Sequence, residues 1–65
     1  MRIEVNGAAQ DITGPTLADA LAELGWTQAR VATALNGDFI PKTARSQTRL
    51  KPGDRLEVLA PMQGG

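Results

Sequence analysis

The stretch Thr16-Leu17-Ala18-Asp19-Ala20-Leu21-Ala22-Glu23-Leu24 (TLADALAEL) sets the frame for the whole chain. Leu17, Leu21 and Leu24 recur at helical spacing with Ala18 and Ala20 between them, which gives one apolar helical face. Thr16 and Asp19 stand at capping-box spacing, with Asp in place of the longer Glu or Gln, and a Thr cap contributes about 1 kcal/mol. Gly25 suits the stop. Trp26, the single tryptophan, follows directly and reads as a plug for the end of the core rather than a ring that stacks on a ligand.

Strand signals lie on both sides of this one clear helix. Ile3 and Val5 alternate with Arg2 and Glu4, and Asn6-Gly7 then supplies a hairpin turn into a return strand over residues 8–12. Thr13-Gly14-Pro15 breaks that strand before the helix begins. Beyond the helix, Val31-Ala32-Thr33-Ala34-Leu35 predicts a third strand, Asn36-Gly37 a second hairpin turn, and Phe39-Ile40 a return that Pro41 cuts short. Residues 42–49 are polar and without period, a surface loop with room for a single helical turn. Leu50-Lys51-Pro52-Gly53-Asp54 is a turn, with Gly supplying a positive φ and Asp bonding nearby backbone. Arg55-Leu56-Glu57-Val58-Leu59 is the last strand, with Leu56 and Val58 inward and Leu59 outward.

This order predicts an α+β domain in which one helix covers one face of a small mixed sheet of four to five strands. With the first and last strands as the central pair, the architecture is a ubiquitin-like β-grasp. It accounts for residues 1–65 as a single domain with a flexible tail over residues 62–65. Its second sheet face is left open for a partner.

Composition removes several kinds of function. Seven basic and seven acidic side chains cancel and are scattered, so no electrostatic footprint for nucleic acid or an anionic membrane is present. Cysteine and histidine are both absent, which excludes disulfides, thiolate nucleophiles, zinc sites and the commonest general base. No stretch approaches the roughly 18 uninterrupted apolar residues of a membrane span, and Glu4 interrupts what would be a signal-peptide core. A cytoplasmic monomer is the expectation. The carboxylates Glu4, Asp11, Asp19, Glu23, Asp38, Asp54 and Glu57 show no spacing that forces two into one site, so they read as solvated surface. The expectation is a protein that is not itself an enzyme, with no metal and no cofactor bound by the chain.

The remaining chemistry sits in Leu59-Ala60-Pro61-Met62-Gln63-Gly64-Gly65. Four residues after Pro61 reach at most ~13 Å, enough for the carboxylate of Gly65 to enter a cavity in another protein while the globule stays outside. Gly64 has no Cβ, so that cavity can grip the backbone closely. Ordering such a tail costs about 1–2 kcal/mol per residue, which contacts elsewhere on the fold must offset. Phe39, Leu59 and Met62 are the candidates for that docking. A carboxylate resists nucleophiles until adenylation by ATP provides a leaving group, so the chain would serve as a protein co-substrate.

The pieces together resemble the ThiS family, small β-grasp sulfur carriers of thiamine biosynthesis. The resemblance covers the whole chain and rests on several motifs in order. They are Val5-Asn6-Gly7, Thr16-Leu17-Ala18-Asp19-Ala20-Leu21, Ala34-Leu35-Asn36-Gly37 with Ile40-Pro41-Lys42, Leu50-Lys51-Pro52-Gly53-Asp54-Arg55-Leu56-Glu57-Val58, and Gly64-Gly65. It implies that a ThiF-like adenylating enzyme, using ATP and magnesium, activates the Gly65 carboxylate. It implies further that sulfur from a cysteine desulfurase system replaces AMP, and that the thiocarboxylate delivers sulfur to a ThiG-like thiazole synthase. Absence of cysteine fits, since no competing thiol exists to attack the activated acyl group.

One departure stands out. Family members often carry an aromatic residue near Arg45, and Thr43-Ala44-Arg45-Ser46-Gln47 has none. The small subunit of molybdopterin synthase and ubiquitin-like protein modifiers share the fold and the Gly-Gly end; chain length and Ile40-Pro41-Lys42 favour the thiamine carriers. A TGS-like binding module has a similar helix start and Gly-Asp-Arg strand, but it usually sits inside a larger RNA-associated protein.

Overall fold

The computed structural model describes residues 1–26 and 30–60. The chain runs through β1 (Arg2–Val5), β2 (Ala8–Asp11), α1 (Leu17–Glu23), β3 (Ala32–Leu35), β4 (Asp38–Ile40), a 3-10 helix (Lys42–Gln47) and β5 (Arg55–Leu59). The five strands form one sheet in the order β2-β1-β5-β3-β4. β1 pairs parallel with β5, and every other pairing is antiparallel. This is the expected mixed β-grasp sheet with the first and last strands side by side.

Local chemistry explains the elements. Asn6 and Asn36 take φ of 51° each and the glycines after them 85° and 89°, the left-handed pair that matches a two-residue hairpin to the twist of its strands. At the helix start, the Asp19 amide donates to Thr16 Oγ1 at 3.2 Å and the Thr16 amide donates back to Asp19 Oδ2 at 3.2 Å. Asp therefore closes the capping box despite its shorter side chain. At the other end, the Gly25 amide donates to the Ala22 carbonyl and the Trp26 amide to the Leu21 carbonyl at 2.8 Å. These two bonds, with Gly25 at φ 90°, make a Schellman stop that turns the half-buried Trp26 back onto the core.

Ile3, Val5, Ile12, Leu17, Ala20, Leu21, Leu50, Leu56 and Val58 form that core. Burial alternates along β1 and β5, with Leu56 and Val58 inside and Leu59 out. The helix start is fastened to the far segment, where the Leu17 amide donates to the Thr48 carbonyl and the Leu50 amide to the Pro15 carbonyl, both at 2.8 Å.

Three expectations change. Residues 42–49, read from the sequence as a surface loop with room for a single helical turn, hold a 3-10 helix six residues long. β2 stops at Asp11 and all of its residues are exposed, because it is the sheet edge beyond the reach of α1. Asp54, grouped with the solvated carboxylates, is only 6% exposed. It accepts from the Lys51 amide at 2.7 Å and from Asn36 Nδ2 at 3.0 Å, which compensates its burial. The expected tail over residues 62–65 lies outside the described residues.

Glu23, at the end of α1, accepts from the backbone amides of Thr13 and Gly14 and so ties the β2–α1 connection to the helix. Gly14 is required there, because a Cβ would stand 2.2 Å from the Asp19 Cβ. The two amides, Thr13 foremost, hold the Glu23 carboxyl below its usual range. A depressed folded value stabilises the protein above the unfolded glutamate value of about 4.3, and the contribution is lost as pH falls through the folded value. Glu23→Gln should therefore flatten the acid limb of stability against pH. Urea midpoints from neutral pH down through the carboxylate range check this; parallel curves for the two proteins would refute it.

Candidate functional site

The sheet face away from α1 is built by the outward residues of every strand. On β5 these are Arg55, Glu57 and Leu59, and on β1 they are Arg2 and Glu4. The register places Ala34 between Phe39 of β4 and Glu57 of β5, and places Ala32 beside Leu59. Phe39 and Leu59 thus flank β3 from opposite sides, offset by two residues along it. They are 67% and 66% exposed, so both stand free of the core. The alanines between them present only methyl groups, which leaves a trough with an aromatic wall and an aliphatic wall.

The expected docking pair is therefore on one surface. Where β5 ends, a shallow recess of about 330 Å³ is lined by Arg30, Val31, Ala32, Leu59 and Ala60. Its lining is mostly apolar, and Leu59 joins it to the trough. A second cleft of about 330 Å³ lies at the opposite end of β5, between the hairpin turns, and is lined by polar groups that include Glu4, Asn6, Arg55 and Glu57. Met62, Gly64 and Gly65, the other candidates, lie outside the described residues.

The β1–β2 side of the face is charged. Arg2 Nε donates to Asp11 Oδ1 at 3.2 Å in a fully exposed pair, and this bond holds the Asp11 carboxyl below its usual range. Solvent screens such a pair heavily, so it shapes the surface more than it stabilises the fold. Glu4 neighbours Arg55 across the parallel ladder.

Sequence reasoning missed the role of Arg45. From the 3-10 helix its Nε donates to Thr33 Oγ1 at 3.1 Å, and its Nη2 donates to the Val31 carbonyl at 2.7 Å. Thr33, only 1% exposed, donates in turn to the Ile40 carbonyl at 2.9 Å. The segment lacking an aromatic residue thus braces β3 with a guanidinium, one of whose partners, Val31, lines the recess. No sequence spacing signals this contact. A basic residue in a polar segment reads as solvated, and only the buried Thr33 hydroxyl gives it a partner.

The model of the ThiS family matches residues 3–65. A thiazole synthase of Paramagnetospirillum magneticum is 32% identical over 66 residues, covering all of this chain, and the chain spans about 20% of that relative's length. The sulfur carrier protein ThiS of Thermus thermophilus is 36% identical over 61 residues, covering 94% of this chain and 95% of its own. The crystal structure of the thiamine biosynthesis protein ThiS from Geobacter metallireducens is similar throughout, with a TM-score of 0.84, 33% identity and full coverage of both chains.

Replacing Arg45 with Ala leaves the Val31 carbonyl without this donor and removes one partner of the Thr33 hydroxyl. Loss of that hydrogen bonding should lower stability by about 1–3 kcal/mol. Urea denaturation reads this as a lower midpoint at unchanged slope; an unchanged midpoint would show that Arg45 is not a brace.

Proposed function

The chain belongs to the ThiS family and is a sulfur carrier of thiamine biosynthesis, and we propose that it carries the sulfur as a thiocarboxylate on Gly65. The observation that carries this reading is the family match running through Gly64-Gly65, together with an exposed apolar face that reaches Leu59, five residues before Gly64.

The chemistry follows from the inertness of a carboxylate. A Gly65 carboxylate oxygen attacks the α-phosphorus of ATP in a partner adenylating enzyme, pyrophosphate leaves, and an acyl adenylate forms. Magnesium in that partner screens the phosphate charge. The terminal sulfur of a persulfide, supplied by a cysteine desulfurase system, then attacks the carbonyl and AMP leaves, and a thiol cleaves the resulting acyl disulfide, releasing the thiocarboxylate and itself ending in a disulfide. The thiocarboxylate is a far better nucleophile than the carboxylate it replaces, and the acceptor is a thiazole synthase. Similarity to a segment of a thiazole synthase supports that acceptor, since covalent linkage there would place carrier and acceptor at high effective concentration. In this scheme the chain is a co-substrate rather than an enzyme, and it acts in the cytoplasm. Among the described residues no helix is long and apolar enough to cross a membrane.

The fold's part is recognition. Phe39 and Leu59 supply exposed apolar surface for the partner, at roughly 25 cal/mol per Å² buried. Gly64, having no Cβ, would let the partner enclose the backbone, and Met62 would offer it a further apolar side chain; both lie outside the described residues.

Two experiments test this. Intact-mass spectrometry of the protein from its own cells should show a fraction heavier by the exchange of one oxygen for sulfur. Deletion of Gly65 should abolish that fraction without moving the urea midpoint, and a truncated protein that still gained sulfur would overturn the assignment. Leu59→Asp alters an exposed side chain, so stability should stay within about 0.5 kcal/mol. Its affinity for the adenylating enzyme should drop at least tenfold by titration calorimetry, and equal affinity would remove the outer face of β5 as the dock.

A further inference from the structure

Both hairpin turns are Asn-Gly, and neither Asn side chain points idly into water. Asn6 Oδ1 accepts from the Val58 amide at 2.9 Å and its Nδ2 donates to the Val58 carbonyl at 3.1 Å. Asn36 Oδ1 accepts from the Arg55 amide at 2.9 Å, while its Nδ2 donates to Asp54 Oδ1 at 3.0 Å. Each carboxamide uses its acceptor and its donor on β5 or the residue before it.

Asn-Gly is also the dipeptide most open to loss of the side-chain amide, because glycine has no Cβ to shield its nitrogen. The Gly nitrogen gives up its proton and attacks the Asn side-chain carbonyl carbon, and ammonia leaves to give a succinimide. Water then opens the ring to aspartate or isoaspartate. No oxidant or reductant is involved. The attack requires the carboxamide to rotate toward the Gly nitrogen, so both sites are restrained while their bonds to β5 hold.

We infer that Asn36-Gly37 is a spontaneous deamidation site, and that its acidic product cannot restore the native start of β5. Three observations separate it from Asn6-Gly7. Asn36 is fastened to Arg55, the exposed first residue of β5, and to Asp54 just before it, so opening there frays a strand end without uncovering an apolar core residue. Asn6 is fastened by both its oxygen and its nitrogen to the backbone of Val58, a core residue 3% exposed and one short of the end of β5. The third is the consequence. Conversion at Asn36 exchanges the Nδ2 donor for a carboxylate oxygen facing Asp54 Oδ1, and Asp54 is 6% exposed. Two carboxylates at hydrogen-bond distance in a poorly solvated place repel, so the opened turn is held open. Isoaspartate would in addition lengthen the backbone inside a two-residue turn. The modification is an ageing mark on the hairpin beside the Phe39 face, and it does not depend on the sulfur-carrier reading.

The test uses the full chain. Trypsin gives a peptide of residues 31–42 with Asn36 as its only Asn and one of residues 3–30 with Asn6 as its only Asn. After incubation in warm, mildly alkaline buffer, the amide-to-acid mass gain should appear in peptide 31–42 severalfold faster than in peptide 3–30. Both rates should rise severalfold in urea. Conversion of peptide 3–30 first, or native rates equal to those in urea, would overturn the inference. The consequence is read from variants. Asn36→Asp should lower the urea midpoint, and adding Asp54→Asn should restore most of the loss, since the exchanged pair again offers one amide donor to one carboxylate. A midpoint for Asn36→Asp equal to wild type, or no recovery in the double variant, refutes the carboxylate clash. The recovery remains decisive even where Asn36→Asp alone does not fold.

Discussion

The parallel pairing of β1 with β5 is the contact on which the other elements depend. It joins the two ends of the described fold, and its register is short: Glu4 with Arg55 and Val5 with Leu56. Backbone bonds extend it at both ends, from the Gly53 amide to the Arg2 carbonyl and from the Asn6 amide to the Leu56 carbonyl, each at 2.9 Å. β1 then turns away, and the Asn6 side chain takes the place of a continuing strand by bonding both backbone groups of Val58 across 52 residues. Closing so long a loop is entropically unfavourable, and buried Ile3, Val5, Leu56 and Val58 are what make the closure favourable.

With β5 fixed, the two hairpins attach as flanks. β1 brings β2 to one side, and β3 brings β4 to the other. α1 then covers Ile3, Val5, Leu56 and Val58 with Leu17, Ala20 and Leu21. Its seven residues are too few to persist alone, so the capping box and the Schellman stop matter chiefly because tertiary packing selects them. The same economy explains the 3-10 helix, which no periodicity announces. The Thr48 and Pro15 carbonyls are tied to the amides of Leu17 and Leu50, and the chain between Pro41 and Thr48 coils tightly in the space that remains.

What the sequence made legible was the local chemistry. Thr16 with Asp19, the Asn-Gly pairs, and the alternation of Ile3, Val5, Leu56 and Val58 each act within a few residues, and each forms the element it predicts. The outward position of Leu59 followed from that alternation, and the companionship of Phe39 required only the hairpin register. The long-range polar contacts were not legible. Arg45 with Thr33, Asn6 with Val58 and Asn36 with Asp54 have no fixed spacing, and each residue has a sound local reading that conceals its distant partner. Asp54 shows this most clearly, since the turn requires it on local grounds while its burial depends on a second hairpin 18 residues away.

The division of the outer face bears on how a small carrier can serve more than one partner. Its charged half contains Arg2, Asp11, Glu4 and Arg55, in which opposite charges already neighbour one another. A surface that satisfies itself in this way contributes little affinity and leaves orientation to its edges. The apolar half is different, because Phe39 and Leu59 gain only when another protein covers them. In the proposed scheme, adenylating enzyme and acceptor would each bind and release the same chain, which favours a small apolar contact over a large one. The trough across Ala32 and Ala34 has the size and character such a contact would need, and Arg45 braces the same strand through the Val31 carbonyl and the Thr33 hydroxyl.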